Sequence, residues 1–405
     1  MRHSEKSTVL MPAIPANKRF LALLVFFIVP ISGLSVDIYV PSMPAMSQYF
    51  NVDKSLVQLT ITFYMIGLGV MQFFAGSISD SFGRRKPFLM ATFIFIVTTL
   101  LIPFVQNIAQ LLCCRLIQGI TVAVMVVPMR SVISDLFEGT TYYKMINYMT
   151  LAWSIGPIIA PAIGGYMQDY FGWKANFYLL AIYTTLSLIF NVLFLPETSI
   201  HRHPFHVTKI LKRYKEILVN KDYLIGLAIN GLLYSIIIIF TIVGPFYIQT
   251  VLHYSAIQFG YIALLTGVSW FIGGVINRFV IHIPLQIKVR VCFLAMFAIS
   301  VALLLTEIVF QIGIYFVLPL TIITMLGNIV FPSYFGQAMA LFPKSSGSAN
   351  ALLGAFLYVI TGISSGLATF LEATSTIPLA TAYVFIMGLC LTIVYFGYRK
   401  KAVLA

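Results

Sequence analysis

The sequence predicts an all-α integral membrane protein: twelve transmembrane helices in two six-helix pseudo-repeats, with both chain ends on the cytoplasmic side. Three observations carry this. The 405 residues are 60% hydrophobic and only 9% charged, whereas soluble domains run at about 25% charged. Mean hydropathy is +0.96, which is more apolar surface than one soluble core buries, so lipid is the main solvent. Twelve apolar runs each approach the ~20 residues that a helix needs to cross a bilayer, and the cations sort to one side of them.

The runs fall near 19–40, 56–78, 87–105, 108–129, 145–166, 174–195, 223–248, 257–281, 289–307, 311–336, 347–370 and 379–398. Gly and Pro interrupt several, as membrane helices allow when neighbours satisfy the freed backbone groups. Twelve crossings return the chain to its starting side. The N-terminal tail, the even-to-odd loops and the C-terminal tail then hold 22 of the 25 Lys and Arg. Lys54 and Lys174 lie on the opposite face, and Arg115 is inside a span. The positive-inside rule makes the basic face cytoplasmic. The net charge of +13 is therefore an orientation device, and no nucleic-acid partner is expected. The first run is long and lacks a small-residue cleavage site, so no removable signal peptide is expected.

Residues 196–222 form the longest polar stretch and carry six cations. They read as a cytoplasmic linker or amphipathic helix between an N-terminal half, 1–195, and a C-terminal half, 223–405. His201, His203 and His206 sit there without carboxylate or thiolate company, so a solvated basic linker is preferred to a metal site. Cys113, Cys114, Cys292 and Cys390 show neither disulfide nor zinc spacing. No metal and no cofactor are expected. The halves share a step: Gly76 to Asp80 follows span 2, and Gly273 to Asn277 follows span 8. Arg278 comes next, but the Gly-Arg-Arg that follows Asp80 is missing there.

Several motifs fall in order along the spans. Gly76-Ser-Ile-Ser-Asp80-Ser-Phe-Gly83-Arg84-Arg85-Lys86 joins spans 2 and 3. Span 1 ends Leu34-Ser-Val-Asp37-Ile-Tyr39-Val-Pro41-Ser-Met-Pro44. Span 4 holds Arg115-Leu-Ile-Gln118-Gly119, span 5 holds Ser154-Ile-Gly156-Pro157 and Pro161-Ala-Ile-Gly164-Gly165, and span 6 ends Leu195-Pro196-Glu197-Thr198. Span 11 opens Gly347-Ser-Ala-Asn-Ala-Leu-Leu-Gly354-Ala. Together these resemble the major facilitator superfamily, and most closely the Bcr/CflA branch of its twelve-span drug:proton antiporters, over nearly the whole chain. The resemblance implies a midplane site between the halves. It implies proton-coupled efflux of a drug or other small organic compound across a bacterial inner membrane, by a monomer that rocks between two states. A general drug pump and a dedicated exporter of an endogenous metabolite or siderophore both remain open. A polytopic enzyme would need a clustered His, Cys or acidic site, which only the histidine tract offers. A channel would need a repeated filter. No Gly-x-x-x-x-Gly-Lys-Ser/Thr occurs, so no ATP site is expected.

Asp37 and Arg115 are the candidates for proton coupling, because ionisable groups inside a span are costly and by default functional. Asp37 is the one acid placed clearly within a run. It lies ~27 Å along span 1 from Arg19, and Arg115 lies ~10 Å below the outer end of span 4, so the two share the outer half of the bilayer. A nearby cation favours the carboxylate and a dry environment favours the acid, so an acid moving between such settings carries protons. A static ion pair, or an Asp37 already wet at the outer end, is the alternative. Asp80 with Arg130 reads as a clamp at the inner gate, with Gly76, Gly83, Arg84 and Arg85 completing the motif; a static loop brace is the alternative. The resemblance also puts Asp80 near the start of span 11, where a helix dipole favours negative charge. Gly156-Pro157 and Gly164-Gly165, which resemble an antiporter motif, supply a bend and close helix approach. Tyr39, Tyr64, Trp153, Tyr234, Trp270 and Phe335 are candidate walls of a cavity for an apolar substrate.

Overall fold

The structure is a computed structural model that describes residues 17–199 and 205–402. It contains twelve helices long and apolar enough to cross a membrane: spans 1 to 12 are Lys18–Phe50, Lys54–Phe82, Arg85–Phe104, Ile108–Leu136, Gly139–Phe171, Trp173–Phe194, Lys221–Val251, Ala256–Phe279, Leu285–Phe310, Gly313–Ala340, Gly347–Ala368 and Ile377–Gly397. Each overlaps one expected run. The largest differences lie at span ends, where helices continue past the apolar stretch. Span 4 runs on through Arg130 to Leu136, because a helix leaving the bilayer keeps its backbone bonds while its side chains turn polar.

Span 1 is broken in three places. It comprises Lys18–Ile28, Ile31–Asp37, a 3-10 turn at Val40–Ser42, and Met43–Phe50. Pro30 and Pro41 lack the N–H that would continue the ladder. Asp37 is the last residue of the second piece and so sits at a break. The first described helix begins, and the last one ends, beside the two spans that the linker joins. The ring of Phe20 meets that of Phe194 at the end of span 6, 5.3 Å between centroids. Gly397 packs on Ile225 at the start of span 7.

Spans 3 and 4 pack together and span 2 lies against span 4, while span 8 packs on span 10 and span 9 on span 12. The first six spans meet the last six along two seams, span 2 with span 11 and span 5 with span 8. Close approach at the first seam needs Gly69, where a Cβ would stand 3.0 Å from the Ala355 carbonyl oxygen. There Thr62 Oγ1 lies 2.7 Å from Ser365 Oγ.

Between spans 6 and 7 the linker contains a helix, Val207–Leu218, on the face that carries the chain ends. Its Tyr214 hydroxyl donates to the Phe73 carbonyl of span 2 at 2.7 Å. His201 and His203 lie outside the described residues, and His206 stands at the start of this helix.

Candidate functional site

Asp37 faces a cavity of about 70 Å³ between spans 1, 5, 7 and 8. It is the only acidic or basic side chain in that lining, which is mostly apolar and aromatic, with Trp153, Pro157, Tyr234, Phe259 and Trp270 as the large groups and Ser154, Thr241 and Thr266 as hydroxyls. Trp153 is held by its Nε1–H, which donates to Ser32 Oγ at 2.9 Å. Trp270 packs edge-on against Tyr234 and Phe331.

Arg115 sits behind this wall and is fully buried. Its guanidinium lies between two rings, 4.5 Å from the centroid of Tyr39 and 4.5 Å from that of Tyr64. Nη1 donates to Gln118 Oε1 at 2.7 Å, and Gln118 Nε2 in turn donates to Thr99 Oγ1 at 2.8 Å. The rings are fixed as well: Tyr39 is 2.8 Å from Thr60 Oγ1, and Tyr64 donates to the Ser32 carbonyl at 3.1 Å. Nε and Nη2 of Arg115 have no hydrogen-bond partner among the described residues. Asp37 is not within ion-pair distance of Arg115; the ion pairs among the described residues both belong to Arg84. The geometry is thus a carboxyl group on a cavity wall and a buried, ring-stacked guanidinium behind it.

Three of the six expected wall aromatics line the cavity: Trp153, Tyr234 and Trp270. Tyr39 and Tyr64 do not. They are fully buried and form the stack around Arg115, since an unpaired guanidinium inside a span draws the nearest π faces. Phe335 does not line it either. It packs into a second core under the linker helix, with Tyr214, Ile217 and Leu353.

Span 5 carries the close contacts its glycines predict. A Cβ at Gly156 would stand 2.6 Å from the Pro30 carbonyl oxygen, and one at Gly164 would collide with the Ile38 carbonyl. Pro157 fills the space beside Gly33. On the face opposite the chain ends, span 5 also seals against span 8. A Cβ at Gly165 would lie 2.5 Å from the Ala256 carbonyl oxygen, and Ile257 N–H donates to Asp169 Oδ2 at 3.2 Å.

The loop motif forms a polar network on the face of the chain ends. Gly83 adopts φ +89°, which only glycine takes readily, and this folds Arg84 back onto span 2. Arg84 then pairs with Asp80 and with Asp135 Oδ2, the latter at 3.2 Å. Burial opposes the Arg84 charge, but the Asp80 hydrogen bond and the Asp135 carboxylate outweigh it and hold the guanidinium above its ordinary pKa. The expected Asp80–Arg130 pair is not made in this structure. Asp80 is occupied by Arg84, and the extension of span 4 leaves Arg130 inside the helix, half-buried. Arg85 donates instead to the Val192 carbonyl at 2.8 Å.

Several residues were not anticipated. Glu197, quoted above only as part of a motif, accepts from the backbone N–H of Arg84 at 2.8 Å and of Arg85 at 3.2 Å. Asp37 is also not the only buried acid in a span. Glu307 is 3% exposed and accepts from the N–H of Ile312 at 3.0 Å and of Thr376 at 3.3 Å; its place at the run's end made it look solvated. Lys288, which precedes the expected ninth run and so counts among the loop cations, is 6% exposed and donates to Asn277 Oδ1 at 2.7 Å. Ser333 Oγ donates to the same oxygen at 3.1 Å. Among the described residues no group of three His, Cys, Asp or Glu is placed to hold a metal ion.

Comparisons with known proteins agree with this architecture. The chain is 25% identical to the bicyclomycin resistance protein homolog of Haemophilus influenzae, over 90% of this chain and 91% of that protein. It is 27% identical to multidrug resistance protein D of Escherichia coli, over 87% of this chain and 89% of that one. A crystal structure of a D-xylose–proton symporter superposes with a TM-score of 0.74 at 15% identity, covering 94% of this chain and 98% of the other, and so shares the fold. The family model described as Major Facilitator Superfamily matches residues 25–366. The chain belongs to the major facilitator superfamily and is a twelve-span membrane transporter, not an enzyme.

Proposed function

We propose that this transporter exports a small organic compound across a bacterial inner membrane in exchange for protons. The basic face is cytoplasmic, the working unit is a monomer, and residues 1–195 and 223–405 rock as two bodies about the central cavity, with 196–222 as the link. The names of the two resistance relatives support the direction and the substrate class. The observation that carries the mechanism is Asp37, the one acidic side chain of the cavity lining, in front of a buried guanidinium stacked between two rings.

Asp37 is the proton carrier in this reading. When the cavity is wet, water and the positive field of Arg115 favour the carboxylate. When a proton arrives, the neutral acid tolerates the aromatic wall that a bare charge would not. Arg115 is an electrostatic tuner held between Tyr39 and Tyr64, and it does not reach the substrate. Substrate and proton compete for the same oxygen atoms, so each turn exchanges one for the other. Spans 5 and 8 and spans 2 and 11 are both in contact here; in this reading, opening the seam of spans 2 and 11 gives the state that loads substrate from the cytoplasm, and opening that of spans 5 and 8 gives the releasing state.

The test uses the purified protein in vesicles with an imposed pH gradient and a panel of amphiphilic compounds. Gradient-driven accumulation is expected, and Asp37→Asn is expected to abolish it while leaving downhill substrate exchange intact. Indifference of the unsubstituted protein to the gradient would remove proton coupling from the reading. Full gradient-driven transport by Asp37→Asn would remove Asp37 from it.

A further inference from the structure

The linker helix Val207–Leu218 presents three stripes with different surroundings. Tyr214 and Ile217 form the docked one, 7% and 2% exposed. It closes over the seam of spans 2 and 11: Tyr214 meets the ring of Phe73, which meets the ring of Phe356. Burial pushes the Tyr214 phenol up to about 12, with Arg213 pulling slightly the other way, so the hydroxyl stays a donor to Phe73. The helix is therefore fixed in rotation about its own axis.

That rotation leaves two stripes outward. One is apolar: Val207 and Leu211 are 41% and 53% exposed, and Val219 in the following turn is 74% exposed. Leu224, in the first turn of span 7, is exposed as well. The other is cationic: Lys212, Arg213 and Lys215 are exposed, against the single acid Glu216. None of these cations has an ion-pair partner among the described residues. At about 100° per residue Lys215 falls between Leu211 and Val219, and Lys212 lies beside Val219, so the cationic and apolar groups interleave on the outward face, with Arg213 on its far flank.

Each stripe has a simple requirement. The cations call for anionic groups, and the apolar stripe calls for a surface without water. An acidic soluble partner meets the first and leaves Leu211 and Val219 beside polar groups. A bilayer with anionic headgroups meets both, because the long Lys and Arg stems carry their charges from the apolar level up to the phosphates. We propose that the outward face of the linker helix is a binding surface for anionic phospholipid, with headgroup phosphates on Lys212, Arg213 and Lys215 and acyl chains against Val207, Leu211 and Val219.

The experiment places a fluorophore on Thr208→Cys, in a Cys113→Ser, Cys114→Ser background, with the full chain in phosphatidylcholine vesicles. Small equal amounts of brominated phosphatidylglycerol or brominated phosphatidylcholine are the quenchers. A cation near a charged membrane surface is worth about a fivefold local enrichment of anionic lipid at low salt, so phosphatidylglycerol is expected to quench several-fold more strongly. The combined Lys212→Gln, Arg213→Gln and Lys215→Gln variant is expected to make the two quenchers equal, and Glu216→Gln to widen their difference. Equal quenching with the cations intact would overturn the proposal, as would an undiminished preference in the triple variant or no quenching by either lipid. Loss of the preference on adding free glycerol phosphate would assign the cations to a soluble anion, and also overturn it. Quenching does not require transport, so these outcomes stand apart from the efflux reading.

Discussion

Glu197→Gln is the most direct probe of how the loop motif is held. Span 3 begins immediately after the Gly83 turn, and its first backbone N–H groups have no partner within the helix. Glu197 accepts from two of them, Arg84 N at 2.8 Å and Arg85 N at 3.2 Å. Glutamine keeps the shape but offers one acceptor oxygen, and its NH2 group faces a donor. One N–H is then orphaned, at ~1 kcal/mol for a half-exposed site, and the other falls from a charge-assisted to a neutral bond, ~1 kcal/mol less. Losing a negative charge at a helix N-terminus removes a further ~0.3–1 kcal/mol. The total is ~2–3 kcal/mol, which corresponds to local opening about 30- to 150-fold more often. Hydrogen exchange of the Arg84 and Arg85 amides, read by mass spectrometry in detergent, is expected to accelerate by that factor, with the start of span 9 as the unaffected reference. Unchanged exchange at these two amides would show that Glu197 does not cap span 3.

Arg115→Lys keeps the charge but cannot lie flat between Tyr39 and Tyr64; two cation–π contacts of ~0.5–2 kcal/mol each are weakened, and an unfolding temperature equal to the unsubstituted protein's would refute the stacking argument. Gly164→Ala drives a Cβ into the Ile38 carbonyl and is expected to lower the yield of folded protein sharply, whereas Gly336→Ala, with nothing within 4 Å of the new carbon, is expected to be silent in the same assay. Lys288→Met replaces a buried amine that has a neutral partner and is expected to be neutral or stabilising by thermal unfolding, while Asn277→Leu strands the amine and is expected to destabilise by ~3 kcal/mol or more. Cysteine at Thr208 is expected to resist an impermeant thiol reagent in intact cells, and cysteine at Lys54 to label readily; the reverse pattern would invert the proposed topology.

Much of the fold was legible because bilayer crossing imposes a length and a composition on every span, and both can be counted along the chain. Span ends were less legible, because backbone bonding continues where apolarity stops. That mattered most at Arg130: placing it at a loop border made it look available to Asp80, when two more helical turns follow it. Asp37 and Arg115 stood out because charge inside a span is rare. The cavity walls did not, because an aromatic on a membrane helix has four destinations: cavity, lipid, neighbouring helix or buried cation. Tyr39 and Tyr64 took the last of these. Glu197 had a legible type and place in its motif, but its role depends on a contact 113 residues away in the chain, which no local pattern records.

Sequence and structure meet most closely in the repeated step after spans 2 and 8. In the first copy Asp80 of span 2, Arg84 at the start of span 3 and Asp135 of span 4 form one network. In the second, Asn277 of span 8, Lys288 at the start of span 9 and Ser333 of span 10 occupy the corresponding spans and also bond as one network. The cation survives in both, delivered four residues after the acid in one case and eleven residues after the amide in the other. That difference in spacing is why the second copy looked incomplete in the sequence. Both acids of the first copy have become neutral in the second. A network with two carboxylates around one guanidinium carries net negative charge, and the equivalent with an amide and a hydroxyl around an ammonium carries net positive charge.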